Sequence, residues 1–346
     1  MRFTVVGAPG DRRVGLFAAA CRSAGLAEPR VIGWAGVLRG AEVAVAPGSV
    51  LRIDSPGEDR EADELLRGPG DPARVGGGAA WYAAFTGALR RLPRVRSTHD
   101  VDDIAVMFDK RRCHARLEAA GVPVPPALPQ VGGYDELRKR MAETGERRVF
   151  VKPAHGSSAS GVVALQTAPG RIKAVTSAAR GPDGFHNSLR VRSYETEREV
   201  AELIDALAPD GLHVERWLPK ASPGGRALDL RVVVVKGEPT HAVVRTSASP
   251  MTNLHLGGTR GDLAAVRGAL GEDGWHRALD VCARAAACFP GSLMVGVDLL
   301  IGVGWRRFAV GEVNAFGDLL PGLTGFPGGP AEGIDTYTAQ VRACMT

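Results

Sequence analysis

Lysine is scarce in this chain. Six occur in 346 residues (Lys110, Lys139, Lys152, Lys173, Lys220, Lys236), which leaves arginine as 37 of the 43 basic residues. Routine surface charge therefore falls to arginine, and a lysine in a glycine-rich or apolar stretch is not filler. Cysteine pairs are missing too. Cys21, Cys113, Cys282, Cys288 and Cys344 show no CxxC spacing, so buried free thiols are expected and a disulfide framework or zinc site is not. No apolar run reaches the ~18 residues of a membrane span. The start "MRFTVVGA" lacks a basic segment followed by a long apolar run. No membrane partner is expected, and the cytoplasm is the expected location. The net charge of +5 is modest, and the arginines are scattered without interleaved aromatics, so no nucleic-acid partner is expected. GxGxxG is absent: "FTVVGA" runs into the loop "GAPGDRR", and no acid ends the next apolar stretch "RVIGWA", which argues against nicotinamide binding. No internal repeat is visible.

What remains is an ordinary globular composition, 45% hydrophobic and 23% charged, long enough for two or three subdomains. The opening reads strand, loop, helix, strand, with "PGDRRVGLFAAACRSAGL" at helical spacing and "RVIGWA" as the second strand. Residues 54–79 are rich in Gly, Pro and charge and read as irregular surface around one short helix. "STHDVDDIAVMFDKRRCHARLEAAGVPVPPAL" predicts two helices around a "DK" step. "GRIKAVTS" and "SLRVRSYE" predict a hairpin around "AARGPDGFHN", and Thr196 with Glu199 a capping box for the next helix. Farther on, "LHVERWL", "LDLRVVVVKG" and "PTHAVVRTSA" read as strands. "VRGALGEDGWHRALDVCARAAACF" reads as helical in its latter part, and "MVGVDLLI" and "RRFAVGEVNA" as a hairpin across "GVGW".

Two places carry chemistry. The first is "RVFVKPAHGSSASGVVAL", residues 148–165, where a strand ends at Lys152 and a loop of Gly156, Ser157, Ser158, Ala159, Ser160 and Gly161 follows with almost no side-chain bulk. Its backbone N–H groups and hydroxyls suit an anion such as phosphate. A polar hairpin turn is the other reading. The second is the carboxyl-terminal hairpin. Glu312 and Asn314, two apart, share a strand face, and pairing can bring Asp298 beside them. Such oxygen donors suit Mg²⁺; a wet antiparallel face is the alternative, opposed by the apolar neighbours Val297, Leu299, Val310 and Val313. Arg231 in "DLRVVVV" and Arg245 in "HAVVRTS" are cations in apolar strands, with Asn253 after the second. They suit a transferring phosphoryl group or salt bridges to Asp229 or Glu215.

In order, "DKRRCHARLEAAGVPVP", "VFVKPAHGSSASGV", "HVERWLPKA", "LDLRVVVVKGEPTHAVVR", "TNLHLGGT", "GVDLL" and "GEVNAFG" resemble the ATP-grasp superfamily, and most nearly its RimK-like carboxylate–amine ligases, over about residues 97–325. The resemblance implies an α/β (α+β) chain with an ATP-grasp fold behind an N-terminal Rossmann-like pre-ATP-grasp domain, divided into 1–100, 101–212 and 213–346. It makes Lys110 and Lys152 phosphate-binding lysines, and Gly156 to Gly161, with Ser157 and Ser158, the loop over the phosphates. Glu215, Arg216, Trp217 and Leu218 become the adenine- and ribose-holding hinge. Asp298, Glu312 and Asn314 become magnesium ligands, and Arg231, Arg245 and Asn253 surround the reacting phosphoryl group. The cofactors implied are ATP and Mg²⁺. The implied reaction joins a small-molecule carboxylate to an amine through an acyl-phosphate, releasing ADP and phosphate, with a peptide as an alternative substrate and a homodimer as the candidate assembly. A peptide- or protein-modifying ligase, a phosphotransferase on the same fold and a non-catalytic nucleotide binder are the competing readings. The chain departs from the family after "EVN": where RimK-like ligases commonly continue with Ser and Pro-Gly, it reads "AFGDLLPGLTGFPGG", with Asp318 intervening and Pro321 and Gly322 arriving late.

Overall fold

The computed structural model describes residues 1–57, 59–156, 159–316 and 320–346. They form three sheets that follow one another along the chain. The first is parallel, in the order β2-β1-β3, from β1 (Arg2–Gly7), β2 (Arg30–Gly33) and β3 (Ser49–Ile53). The second is antiparallel, in the order β7-β6-β5-β4-β8, from β4 (Arg148–Pro153), β5 (Val163–Ala168), β6 (Arg171–Gly181), β7 (Gly184–Tyr194) and β8 (Leu212–Arg216). The third is also antiparallel, in the order β11-β10-β9-β12-β13, from β9 (Ala227–Val235), β10 (Glu238–Ser247), β11 (Thr259–Arg260), β12 (Met294–Ile301) and β13 (Phe308–Asn314).

Each sheet buries an apolar face under helices, and the first also buries its other face, where Val6, Leu51 and Ile53 meet Trp34, Phe85 and Leu89 in the largest core. Phe3, Val5 and Val50 of the first pack on Phe17 and Cys21 of the helix Arg12–Ser23 and on Tyr337 and Val341 of the helix Thr336–Met345, so a C-terminal helix closes an N-terminal sheet. The second packs on Leu137 and Met141 of the helix Tyr134–Glu143 and on Val200, Leu203 and Ile204 of the helix Glu197–Leu207. That last helix starts at the capping box of Thr196 and Glu199. The third sheet alternates. Leu228, Leu230, Val232 and Val234 of β9 point into the largest core, beside Trp275, Ala278 and Cys282 of the helix Leu263–Ala287. Asp229 and Arg231 therefore face the other way. Gly271, at φ 67°, breaks that helix into two pieces.

Two expectations need correction. The sequence reads "RVIGWA" as one strand, but the strand stops at Gly33 and a helix, Trp34–Leu38, begins. Trp34 is fully buried, and its indole N–H donates to the Asp54 carbonyl at 2.9 Å, a contact across the sheet that local pattern does not reveal. The hairpin expected around "AARGPDGFHN" is also tighter: β6 and β7 run on to Gly181 and Gly184. Residues 73–75 hold this polar stretch extended from its other side, with Val75 N–H donating to Phe185 O at 2.9 Å and Asn187 N–H to Ala73 O at 2.6 Å. All five cysteines are free. No helix among the described residues is long and apolar enough to cross a membrane.

Candidate active site

The second and third sheets, with the loop after β10 and the carboxyl ends of β1 and β3, enclose a cavity of about 360 Å³. The third sheet supplies its charged wall by strand register alone. Asp298 on β12 lies directly across from Glu312 on β13 and from Arg231 on β9, while Arg245 on β10 lies across from Asp229 on β9. A bulge between Asp298 and Leu299 leaves Gly311 as the extra residue of β13.

These neighbours form a buried charge chain. Arg245 Nε donates to Asp229 Oδ1 at 2.8 Å, and its Nη2 reaches Asp298 Oδ2 at 3.1 Å. Arg231 Nε stands 2.5 Å from Asp298 Oδ1. Asp229 also faces Lys220, whose Nζ is 3.4 Å from Oδ2 and donates to Thr252 Oγ1 at 3.0 Å, and the Thr252 hydroxyl donates to the same Oδ2. Burial by itself would raise the Asp229 carboxyl; Arg245 and Lys220 reverse this and hold it at about 2. The salt-bridge alternative for Arg245 is thus present in part, because it holds Asp229 and Asp298 at once and is not a lone cation. Glu215 does not pair with either arginine.

The second sheet contributes differently. Lys152, at the end of β4, is 2.5 Å from Glu215 Oε1 on β8 and donates to the Gly311 carbonyl at 3.3 Å, linking the two sheets. His213 Nε2 lies 3.2 Å from Glu215 Oε2. Burial would raise the Glu215 carboxyl, but Lys152 and His213 bring it down to about 2. Lys110, first residue of the helix Lys110–Ala119 that Asp109 caps, sits 3.0 Å from Glu312 Oε1 and 2.5 Å from the Gly156 carbonyl. Burial opposes ionisation of Glu312, and Lys110 and Lys152 overcome it, so its acidity is enhanced.

Of the residues singled out in the sequence, Lys110, Lys152, Gly156, Glu215, Leu218, Arg231, Arg245, Asn253, Asp298, Glu312 and Asn314 line this one cavity. Asn253 commits its Oδ1 to His255 N–H at 2.8 Å. Arg216 is exposed and paired with Glu146, outside the lining, and Trp217 packs on Phe150, which does line it, with ring centroids 5.1 Å apart. Gly161 stands behind the wall: at φ 66°, a Cβ there would meet Leu207, Val75 and Pro153 within 3.0 Å. Ser157, Ser158 and Asp318 lie outside the described residues. Sequence reasoning passed over Lys220, Thr252, Arg13 and Ser55, all on the wall. Only Lys220 carried a signal, as one of the six lysines.

Asp298, Glu312 and Asn314 offer oxygen donors only. Both Asp298 carboxylate oxygens are in ion-pair contact with arginine, Oδ1 with Arg231 and Oδ2 with Arg245, so a cation would share them, and Asn314 donates its amide nitrogen to the Gly296 carbonyl at 3.3 Å. That donor set fits a hard divalent cation and not zinc. Among the described residues no group of three or more His, Cys, Asp or Glu forms a metal cluster, so the fit rests on two carboxylates and an amide.

No family model and no curated protein matches the sequence. Solved structures do. D-cycloserine synthetase DcsG is 17% identical with a TM-score of 0.59, over 100% of this chain and 99% of that one. The ATP-grasp ligase PsnB, complexed with a phosphomimetic variant of its minimal precursor, Mg and ADP, is 17% identical with a TM-score of 0.54, over 100% and 98%. The macrocyclase MdnC, bound with the precursor peptide MdnA from Microcystis aeruginosa, is 11% identical with a TM-score of 0.54, over 98% of each chain. At these identities the likeness is one of architecture, and over its whole length this chain has the fold of the ATP-grasp ligase PsnB.

Proposed function

We propose that the cavity binds ATP with Mg²⁺ and joins a carboxylate to an amine through an acyl-phosphate, releasing ADP and phosphate. The observation that carries this reading is the register pair of Asp298 and Glu312, directly opposed and held between Lys110, Arg231 and Arg245 on a wall that also bears Lys152. Phosphoryl transfer asks a protein chiefly for positioning and charge neutralisation, and needs no protein nucleophile.

In this reading Lys152 and Lys110 exchange part of their present pairing for phosphate oxygens, and the backbone around Gly156 closes over them. Phe150 and Leu218 flank the base. Asp298, Glu312 and Asn314 hold the Mg²⁺, which supplies charge neutralisation between phosphate groups. Arg231 and Arg245 hold the carboxylate nucleophile against the γ-phosphate and stabilise charge on the transferring group. We keep the division into 1–100, 101–212 and 213–346 as a proposal; β8 (Leu212–Arg216) of the second sheet crosses its second boundary, and the helix Thr336–Met345 packs on the first sheet. An amino acid or peptide substrate is our reading, with a peptide- or protein-modifying ligase as the alternative. A soluble cytoplasmic enzyme remains our reading of its setting.

The test is ADP release with paired and single amino acids and short peptides, with hydroxylamine offered in place of the amine. A hydroxamate formed with ADP supports the reading. Release of AMP and pyrophosphate would overturn it in favour of adenylation, and a stable phosphorylated product would favour the phosphotransferase.

A further inference from the structure

Arg13, on the helix after β1, and Ser55, in the loop after β3, belong to the layer of the first sheet, yet they line the cavity whose other charged residues belong to the rest of the chain. Both stand just beyond the carboxyl ends of parallel strands, Arg13 after β1 and Ser55 after β3. In open parallel sheets that crevice is where ligands settle.

The other cavity cations are committed. Lys110 faces Glu312 at 3.0 Å, Lys152 faces Glu215 at 2.5 Å, Lys220 and Arg245 share Asp229, and Arg231 faces Asp298. Arg13 differs. Its acidic neighbour is Asp11, 3.8 Å from Nη1, and that carboxylate already takes the Arg13 backbone N–H at 2.7 Å. Arg13 Nε is buried and has no hydrogen-bond partner among the described residues. Ser55 Oγ accepts from Gly57 N–H at 3.1 Å, which leaves its hydroxyl proton to donate. The guanidinium of Arg13 and the hydroxyl of Ser55 thus stand as donors on the wall of the cavity, and a planar carboxylate matches a guanidinium.

We propose that Arg13 and Ser55 bind a spectator carboxylate, one that is never phosphorylated and that either the activated substrate or the amine acceptor carries. The substrate pair then includes an amino acid, a peptide carboxyl terminus or a dicarboxylate, and not a monoacid with a simple amine. The word spectator rests on the ligase reading; the carboxylate contact rests on Arg13 and Ser55 themselves.

Thermal unfolding of the whole chain, with Mg²⁺ and the non-hydrolysable analogue AMP-PNP, tests the contact. The probes are the proteinogenic L-amino acids, dipeptides, succinate and glutarate, each beside its carboxyl amide. At least one free carboxylate should stabilise the wild type while its amide does not. Arg13→Gln should weaken that ligand about tenfold or more, Arg13→Lys should retain part of the binding, and the AMP-PNP effect should be equal in all three proteins. Equal stabilisation by acid and amide, survival of the effect in Arg13→Gln, or no stabilising carboxylate at all would overturn the proposal. The ligase reading fails separately, when the wild type forms no ADP with any pair. Hydroxylamine trapping separates the two sources: a raised KM for the activated substrate in Arg13→Gln puts the spectator on that substrate, whereas an effect confined to the complete reaction puts it on the acceptor.

Discussion

The two faces of β9 differ by one residue of offset and by almost everything else. Leu230 sits among the apolar side chains under the helix Leu263–Ala287, while Arg231, its neighbour, stands against Asp298 in the cavity. On the first face burial is the whole stabilisation. On the second, each buried charge is tolerable only because its partner arrives from the next strand, so the sheet register determines the chemistry as well as the packing. Cutting a contact on the apolar face should cost stability alone; cutting one on the charged face should cost activity, stability or both.

The sharpest break is Glu312→Gln, which keeps shape and removes the charge facing Lys110. Turnover should vanish or shift to much higher magnesium, read by ADP release against magnesium concentration; wild-type activity at low magnesium would argue for a merely structural carboxylate. Next is Arg245→Ala. Because it leaves Asp229 and Asp298 without their shared cation, a loss of about 3–5 kcal/mol in folding is expected, measured by denaturant unfolding, and Arg245→Lys should keep more of the fold than of the rate. Leu230→Ala should cost about 2–5 kcal/mol in folding with kcat unchanged in the folded fraction. If it lowers kcat instead, the two faces are coupled more tightly than register requires.

Two smaller effects extend the comparison to the second sheet. Gly161→Ala should destabilise by about 1–3 kcal/mol, since it needs both a left-handed backbone and the space its Cβ would take. Gly156→Ala, whose Cβ would meet no atom of the described residues closer than Ser160 O at 3.4 Å, should be nearly silent in unfolding. The Lys152–Glu215 pair yields a pH signature. With the folded carboxyl at about 2, against roughly 4.3 when unfolded, its stabilisation is complete above about pH 4 and fades as pH falls toward 2. The stability gap between wild type and Glu215→Gln should therefore narrow below about pH 4; a gap that stays constant would show that the charge is not its source.

Legibility followed the same division. Asp298, Glu312, Asn314, Arg231 and Arg245 were visible because a charge in an alternating apolar strand has a period of two, and that period says which face it shares. Lys220 sits in "PKASPGGRA", a stretch with no period. It is fixed by distant pairing, Ala221 N–H to Ile301 O at 2.7 Å and Val303 N–H to Pro219 O at 3.0 Å, which local pattern cannot encode. Arg13 reads as one more surface arginine until β3 and its following loop come beside it. The first sheet's strands were legible as β-α alternation, but the turn at Trp34 depends on the Asp54 carbonyl that receives its indole.

The helix Thr336–Met345, with Tyr337 and Val341 in the core of a sheet drawn from the first 53 residues, has a consequence for synthesis. A ribosome delivers β1, β2 and β3 long before it delivers the helix that covers them. Until that helix arrives, Phe3, Val5 and Val50 have only the helix Arg12–Ser23 to cover this face, so the layer stays partly open while the two antiparallel sheets are made.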